Sequence, residues 1–353
     1  MSGIVIRKWE EIQSDFKHNL LLGNGASIAI FNKFDYRSLH TLAEKEKYIS
    51  ATCNRLFQDF ETDNFEFILK VLADANKVNQ ILGIDEQDTI KAYNEIKNAL
   101  VNTIRYIHPQ RDSVSAVLQV AADFMSSFDT IISLNYDLLL YWAILLYNEK
   151  KRVTFFKDCF LPDKYDGSSL VFESDFGYLR STQNPNDASL VFYPHGNLIL
   201  AESPFGAEVK LVRNDEYILD TILDKWAIGN HTPLIVSESD SKHKLFAIER
   251  SNYLTNVYDR VLSELPETLV IYGWSFSDQD SHILKALDRS MPSLLSSSSS
   301  TKLKHLAISV HTSNPNHLAS CERILKKLNS LHNFKRCSVM WFDSASKGSW
   351  IYR

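Results

Sequence analysis

Seven apolar runs of strand length recur along this chain, and most of them break off at a polar or glycine-rich turn. They are Leu20–Leu22, Phe128–Leu134, Leu190–Tyr193, Pro233–Ser237, Thr268–Tyr272, Leu303–Val310 and Ser338–Phe342. Runs that are apolar throughout, without polar alternation, suit strands buried on both faces, as in a parallel sheet. Helix-compatible stretches separate them: Ser27–Phe34, Leu138–Tyr147 and a stretch from about Gln279. The expected fold is therefore α/β, a Rossmann-like, mostly parallel sheet with helices on both faces. Ligands of such sheets bind at the strands' C-terminal ends, near the switch in strand order. That is where the polar punctuation falls.

From Tyr36 to Phe124 the signals are helical. Phe65, Ile68, Leu69 and Leu72 recur at three- and four-residue spacing, as do Ile90, Tyr93, Ile96 and Leu100. Residues 36–124 are thus expected to be a helical insertion after the first βα unit, within a single domain spanning 1–353. Ser296–Ser300 is a low-complexity run expected to be a surface loop. At 353 residues, 44% hydrophobic and 23% charged, the chain can build a sizeable core.

A formal charge of −5 argues against a broad nucleic-acid footprint. Cys53, Cys159, Cys321 and Cys337 form no Cys-x-x-Cys pair, so no metal site is expected and reduced thiols fit best. The N-terminus lacks the apolar core of a signal peptide, and no run approaches the ~18 residues of a membrane helix. A cytoplasmic protein without membrane contact is the expectation.

Four strand ends carry the candidate chemistry. Gly23-Asn24-Gly25-Ala26-Ser27 reads as a strand, a tight turn and a helix start. Glycines let a pyrophosphate approach the backbone, and Ser27 adds a hydroxyl. The dehydrogenase fingerprint needs a third glycine, and Ile28 stands there, so a plain turn is the competing reading. Ser133-Leu134-Asn135-Tyr136-Asp137 delivers an amide and a carboxylate to the same rim; otherwise Asn135 is a turn residue and Asp137 a helix cap. Tyr193-Pro194-His195-Gly196 sets a histidine on a constrained turn, with a side chain suited to general-base work near neutrality unless it is merely structural. Tyr272-Gly273-Trp274-Ser275-Phe276-Ser277-Asp278 offers an aromatic surface and hydroxyls suited to an adenosine, with Asp278 alternatively a helix cap.

The ordered set Gly-Asn-Gly-Ala-Ser, Leu-Asn-Tyr-Asp, His-Gly and Gly-Trp-Ser-x-x-Asp resembles the SIR2-like family, the bacterial defence relatives of sirtuins. More narrowly it looks like the DUF4917 branch, through Thr62-Asp63-Asn64-Phe65-Glu66, Pro233-Leu234-Ile235-Val236-Ser237-Glu238 and Tyr253-Leu254. The resemblance implies an NAD pocket at the sheet edge. Gly23, Asn24, Gly25 and Ser27 would hold the pyrophosphate. Asn135 would work beside the nicotinamide ribose, with Asp137 and Gly196 bordering the pocket, and His195 would be the base. Gly273, Trp274, Ser275 and Asp278 would take the adenosine side. It also implies an NAD hydrolase of anti-phage defence, giving nicotinamide and ADP-ribose.

Deacetylating sirtuins carry two Cys-x-x-Cys pairs after the His-Gly motif; here only Asn197–Gly206 follows immediately, so deacetylation is not expected. Asn24 replaces a common alanine, a change expected to be tolerated because Asn accepts positive φ. An unregulated NADase would poison its host. A resting state released by oligomerisation, or by a separately encoded sensor protein, is therefore expected. The competing readings are a non-catalytic NAD or ADP-ribose binder and an ADP-ribosyltransferase.

Overall fold

The computed structural model describes residues 4–35, 38–164, 169–181, 188–203, 206–211, 218–228, 231–236, 241–292 and 302–352. Of the residues singled out in the sequence, Tyr36, Ser237, Glu238 and Ser296–Ser300 lie outside these ranges. The protein is α/β, with a large parallel sheet flanked by helices.

Thirteen strands occur among the described residues: β1 (Ile6–Arg7), β2 (Asn19–Leu22), β3 (Thr130–Ser133), β4 (Phe156–Lys157), β5 (Phe160–Pro162), β6 (Leu170–Phe172), β7 (Ser189–Phe192), β8 (Gly196–Glu202), β9 (Glu208–Lys210), β10 (Thr232–Ile235), β11 (Thr268–Tyr272), β12 (His305–Val310) and β13 (Ser338–Asp343). Eight of them form one sheet in the order β1-β13-β12-β11-β2-β3-β7-β4, and every neighbouring pair is parallel. All residues of β2, β3, β7 and β11 are buried, which explains their unbroken apolar sequences.

The chain runs outward from β2 through β3 to β7, then returns to lay β11 on the other side of β2. The order reverses between β2 and β11, so the crevice that an open α/β sheet uses for ligands lies at their C-terminal ends. Register places Leu22 beside Tyr272 on one side and Ser133 on the other. Gly23, Asn135 and Gly273 therefore leave the sheet as neighbours.

The other five strands form an antiparallel sheet, β10-β8-β9-β6-β5. The Pro233–Ser237 run, read above with the strands of the parallel sheet, belongs here: β10 pairs antiparallel with β8, with a bulge between Pro233 and Ile235. Its apolar side chains pack into the same hydrophobic core as the parallel sheet, though from a strand of the other sheet.

Between β2 and β3 the regular structure of the described residues is helical: a short helix Asn24–Ile30 and a 3-10 turn Asn32–Phe34, followed by helices Leu39–Lys45, Ala51–Asp59, Phe65–Leu82, Gln87–Ile107 and Arg111–Met125. Asn64 caps the Phe65–Leu82 helix, its Oδ1 accepting from the Phe67 amide at 2.9 Å, and Phe65 is fully buried. Asp63 bonds His40 Nδ1 at 3.0 Å. The Thr62–Phe65 signature thus packs and caps the helical layer. No helix among the described residues is long and apolar enough to cross a membrane. Cys53, Cys159 and Cys321 are buried and Cys337 half-buried, all four unpaired.

Candidate functional site

Three glycines meet backbone to backbone at the switch point. A Cβ on Gly23 would lie 2.6 Å from the Trp274 Cα, and one on Gly25 would lie 2.8 Å from the Gly273 Cα. Gly273 has φ +69°, and its Cβ would stand 2.4 Å from the Ala26 amide nitrogen. Real Cβ atoms do not approach backbone so closely, so this rim admits glycine alone. The contact also consumes donors. The Gly23 amide donates to the Tyr272 carbonyl at 2.9 Å and the Gly25 amide to the Gly273 carbonyl at 2.7 Å. Gly25, one of the residues expected to cradle phosphate, spends its N–H within the protein.

Asn135 reaches across the rim. Its Nδ2 donates to the Gly23 carbonyl at 3.0 Å and to Ser27 Oγ at 2.9 Å. Ser27 Oγ in turn donates to Asp137 Oδ2 at 2.5 Å, and the other oxygen of Asp137 accepts from the Leu139 amide at 2.8 Å. Asp137 thus holds the first amide of the Leu139–Lys151 helix from one residue before its N-cap, Leu138, close to but not at the capping position that one of the two sequence readings gave it. Burial pushes its carboxyl up to about 6, with the Ser27 hydrogen bond pulling the other way. Ser27 and Asp137 are buried, while Asn135 keeps partial exposure. Ser27 is thus committed to tying two strand ends together, and its hydroxyl is not free for a phosphate.

His195 arrives from the far side. The turn Tyr193–Gly196 closes with the Gly196 amide donating to the Tyr193 carbonyl at 2.9 Å, and Gly196 takes φ +73°. The hydroxyl of Tyr253, from the Tyr253-Leu254 signature, accepts from the Tyr193 amide at 2.9 Å and so helps seat the turn. His195 Nδ1 donates to the Leu134 carbonyl at 3.2 Å, next to Asn135. Asn197 Nδ2 donates to the Asp137 carbonyl at 2.8 Å. Hydrogen bonds therefore join residues 23, 27, 135, 137 and 195 into one rim.

Other expected members are placed differently. Asn24 is exposed, opens its helix with negative φ, and its side chain donates to the Phe34 carbonyl at 3.2 Å. Positive φ is thus not what admits Asn there. Trp274, expected to offer an aromatic face to adenosine, is buried and stacks on Phe276 at 4.1 Å. Phe276 is itself held at φ +55°. Ser275 is exposed and its carbonyl accepts from Arg323 at 2.9 Å. Asp278 faces away, with its carboxylate 2.5 Å from Lys327 Nζ.

Beyond the four motifs, the sequence reading missed a polar cluster centred on His282, which is fully buried on the Ser281–Ser290 helix. Its Nε2 lies 2.9 Å from His195 Nε2. Its Nδ1 lies 3.3 Å from Ser241 Oγ, which accepts from the His282 amide at 2.9 Å. Beside it Asp280 is clamped by Lys244 Nζ at 2.8 Å and by Trp274 Nε1 at 3.2 Å. Burial would raise the Asp280 carboxyl, but His195, Lys244 and Trp274 together hold it low. The clue was present in the sequence. Asp280 and His282 follow the Gly-Trp-Ser-x-x-Asp motif within four residues.

His195, Asp280 and His282 could in principle share a cation, since their ligand atoms lie within 4.8 Å of one another. Two features oppose it. The imidazole centroids are 5.1 Å apart with Nε2 atoms at 2.9 Å, so the rings meet nose to nose. Two imidazole nitrogens held at about 2.0–2.1 Å from one tetrahedral ion would stand about 3.3 Å apart, further than these do. The Lys244 ammonium already neutralises Asp280 and would repel a cation. The donor set suits a hydrogen-bonded pair better than a metal. A cavity of about 760 Å³, bordered by Tyr141, Phe156, Asp158 and Lys210, lies at the edge strand β4. There Lys210 and Asp158 pair at 2.6 Å, and burial pushes the Cys159 thiol up, away from reactivity.

Burial holds three imidazoles neutral: His108 and His282 are drawn down to about 4 and His195 to about 3, burial being the largest cause in each. His108 is structural, its Nε2 accepting from the Leu138 amide at 3.0 Å. In the unfolded chain each would titrate near 6.5. The unfolded state thus binds more protons below that pH, and stability falls as pH drops from about 6.5 toward 4, by roughly 1.4 kcal/mol per unit for each uncompensated imidazole. Asp137 works in the opposite direction between about 6 and its ordinary value, because the folded form takes its proton first. Urea melts at pH 7, 6 and 5 should show the midpoint falling; a flat or rising midpoint would refute this account.

Among curated proteins, none matches the chain. A family model described as a domain of unknown function, DUF4917, matches residues 20–350. The match takes in all four strand-end motifs as well as His282, and the chain belongs to the DUF4917 family.

Proposed function

We propose that this protein is an NAD hydrolase of SIR2-like type, cleaving the bond between nicotinamide and ribose at the rim between β2, β3 and β11. The observation that carries the reading is the convergence of the motifs. Asn135 bonds Gly23 and Ser27, and His195 bonds the carbonyl of Leu134, at the one place where the strand order reverses. The three-glycine contact draws the turns after β2 and β11 together at that rim, where open α/β sheets take dinucleotides.

In the reaction, nicotinamide leaves with the electron pair of the C–N bond, and the ribose passes through an oxocarbenium-like transition state. Water adds to the anomeric carbon and gives up a proton. Asn135, part-exposed at the rim, would orient ribose hydroxyls or that water. His195 would take the proton, from the water or from a ribose hydroxyl. The products are nicotinamide, ADP-ribose and a proton. Regulation by a separately encoded sensor, by oligomerisation or by both belongs to the same reading, as does a role as an antiviral effector.

Incubating the purified protein with NAD, alone and with proteins encoded beside it, tests the reading. Nicotinamide and ADP-ribose in equal amounts are expected. NAD left intact under every condition, although it binds, would replace the hydrolase with a non-catalytic NAD or ADP-ribose binder. One observation favours that second reading: both ring nitrogens of His195 are engaged within the protein. ADP-ribose appearing on a macromolecule would instead mark a transferase.

A further inference from the structure

We infer that His282 caps the basic nitrogen of His195, and that breaking this one contact is the step that turns the site on. The inference rests on the NADase reading for its consequence, but the contact itself stands on geometry alone. His195 Nδ1 faces a carbonyl, Leu134 O at 3.2 Å, and a carbonyl only accepts, so Nδ1 carries the hydrogen. In the neutral ring Nε2 is then the bare lone pair, which is the atom a general base uses. That atom does not face the rim. It lies 2.9 Å from His282 Nε2, with the two rings nose to nose.

The proton between the two nitrogens must belong to His282, since His195 has spent its own. His282 Nδ1 is then the acceptor of the Ser241 hydroxyl at 3.3 Å, against the competing pull of the Gln279 carbonyl, which also hydrogen-bonds the ring. The chain is complete: Ser241 hydroxyl to His282, His282 to His195, His195 to Leu134. If His282 kept its hydrogen on Nδ1 instead, two lone pairs would face each other at 2.9 Å, an arrangement held only by a shared cation, either a metal ion or one extra proton. The Lys244 ammonium beside Asp280 repels such a cation, and the 2.9 Å gap is shorter than two metal-bound nitrogens keep.

The cap is anchored on several sides. His282 is fully buried, and its carbonyl accepts from the Tyr258 hydroxyl at 2.9 Å. Its helix begins directly after Asp280, which Lys244 and Trp274 hold. Trp274 belongs to the glycine rim itself and stacks on Phe276, whose φ of +55° is strained for a side-chain-bearing residue. The rim, the strained turn and the cap thus form one connected run of contacts. A ligand or partner that displaced Trp274 would loosen Asp280 and, two residues on, His282. His282 is a positioning residue: it acts on the reaction only through His195.

Imidazole nitrogen NMR on ring-labelled protein tests the cap without any need for activity. Wild type should show His195 protonated on Nδ1, His282 protonated on Nε2, and a scalar coupling across the hydrogen bond between the two Nε2 nuclei. His282→Gln, whose amide can still donate, should keep the His195 tautomer. His282→Leu should lose the coupling and, where it folds, raise basal nicotinamide release about five- to tenfold over wild type and over His282→Gln, the scale of one net hydrogen bond. A His195 tautomer with Nε2 protonated, or bare nitrogens on both rings with an ion between them, would overturn the cap. So would basal release unchanged in folded His282→Leu while triggered wild type turns over. Absence of NAD cleavage in every variant, with the coupling present, would instead remove the NADase reading and leave the contact standing.

Discussion

His195→Ala is expected to lower nicotinamide release at least about 100-fold, measured where wild type turns over, because a positioned general base contributes roughly 10²–10⁴. NAD affinity should change far less. The Gly23–Gly25 rim and Asn135 do not depend on the imidazole for their contacts with one another. The substitution also has a structural cost. It leaves the buried Nε2–H of His282 without its acceptor, which costs about 1–3 kcal/mol. His195→Gln controls for that loss, since its amide oxygen can accept where the imidazole did. If His195→Gln is as stable as wild type yet equally inactive in turnover, chemistry rather than folding is at stake. Wild-type rates in His195→Ala would remove His195 from the mechanism.

Gly196→Ala should have the largest effect on folding. A Cβ at this position would sit 1.9 Å from the Leu234 carbonyl oxygen and 2.7 Å from its carbon, and φ is already +73°. Neither obstacle is the far end of a flexible side chain. The alanine must either push β10 off β8, where Ile235 pairs with Gly196, or leave the left-handed region and rotate His195 away. Either route costs on the order of 4 kcal/mol or more, the range reserved for backbone conflicts of this kind. The expected outcome is insoluble protein or a large loss of the urea midpoint. Gly83, also at positive φ but with open space around a would-be Cβ, is the comparison: Gly83→Ala should show only modest strain. Equal stability of Gly196→Ala and wild type would mean that β8 and β10 are not locked as described.

Six strands of the parallel sheet were legible because burial on both faces writes itself as uninterrupted apolar sequence, while β1 and β4, two residues each, were too short to be seen. Thr268–Tyr272 matches its strand to the residue, and the runs at Leu20, Phe128, Leu190, Leu303 and Ser338 match theirs with small shifts at the ends. The antiparallel sheet was not legible. β5, β6 and β9 are three residues each, too short for a period of two to emerge, and β8 is buried along nearly its whole length, so its faces do not alternate. The site was legible as a set of strand ends, because polar residues terminating apolar strands are a topological signal. Their inner wiring was not. Nothing local in the sequence says that Ser27 is spent on Asp137, or that Trp274 turns inward onto Phe276. Those outcomes are decided by contacts between segments more than a hundred residues apart in one case and by a strained turn in the other.

β7 lies in the parallel sheet and β8 in the antiparallel one, so the chain changes sheets across Tyr193, Pro194 and His195. The imidazole is therefore mounted on the joint between two slabs rather than on either slab. A tilt of one against the other swings this ring first, as a latch at a door's hinge feels any movement of the door.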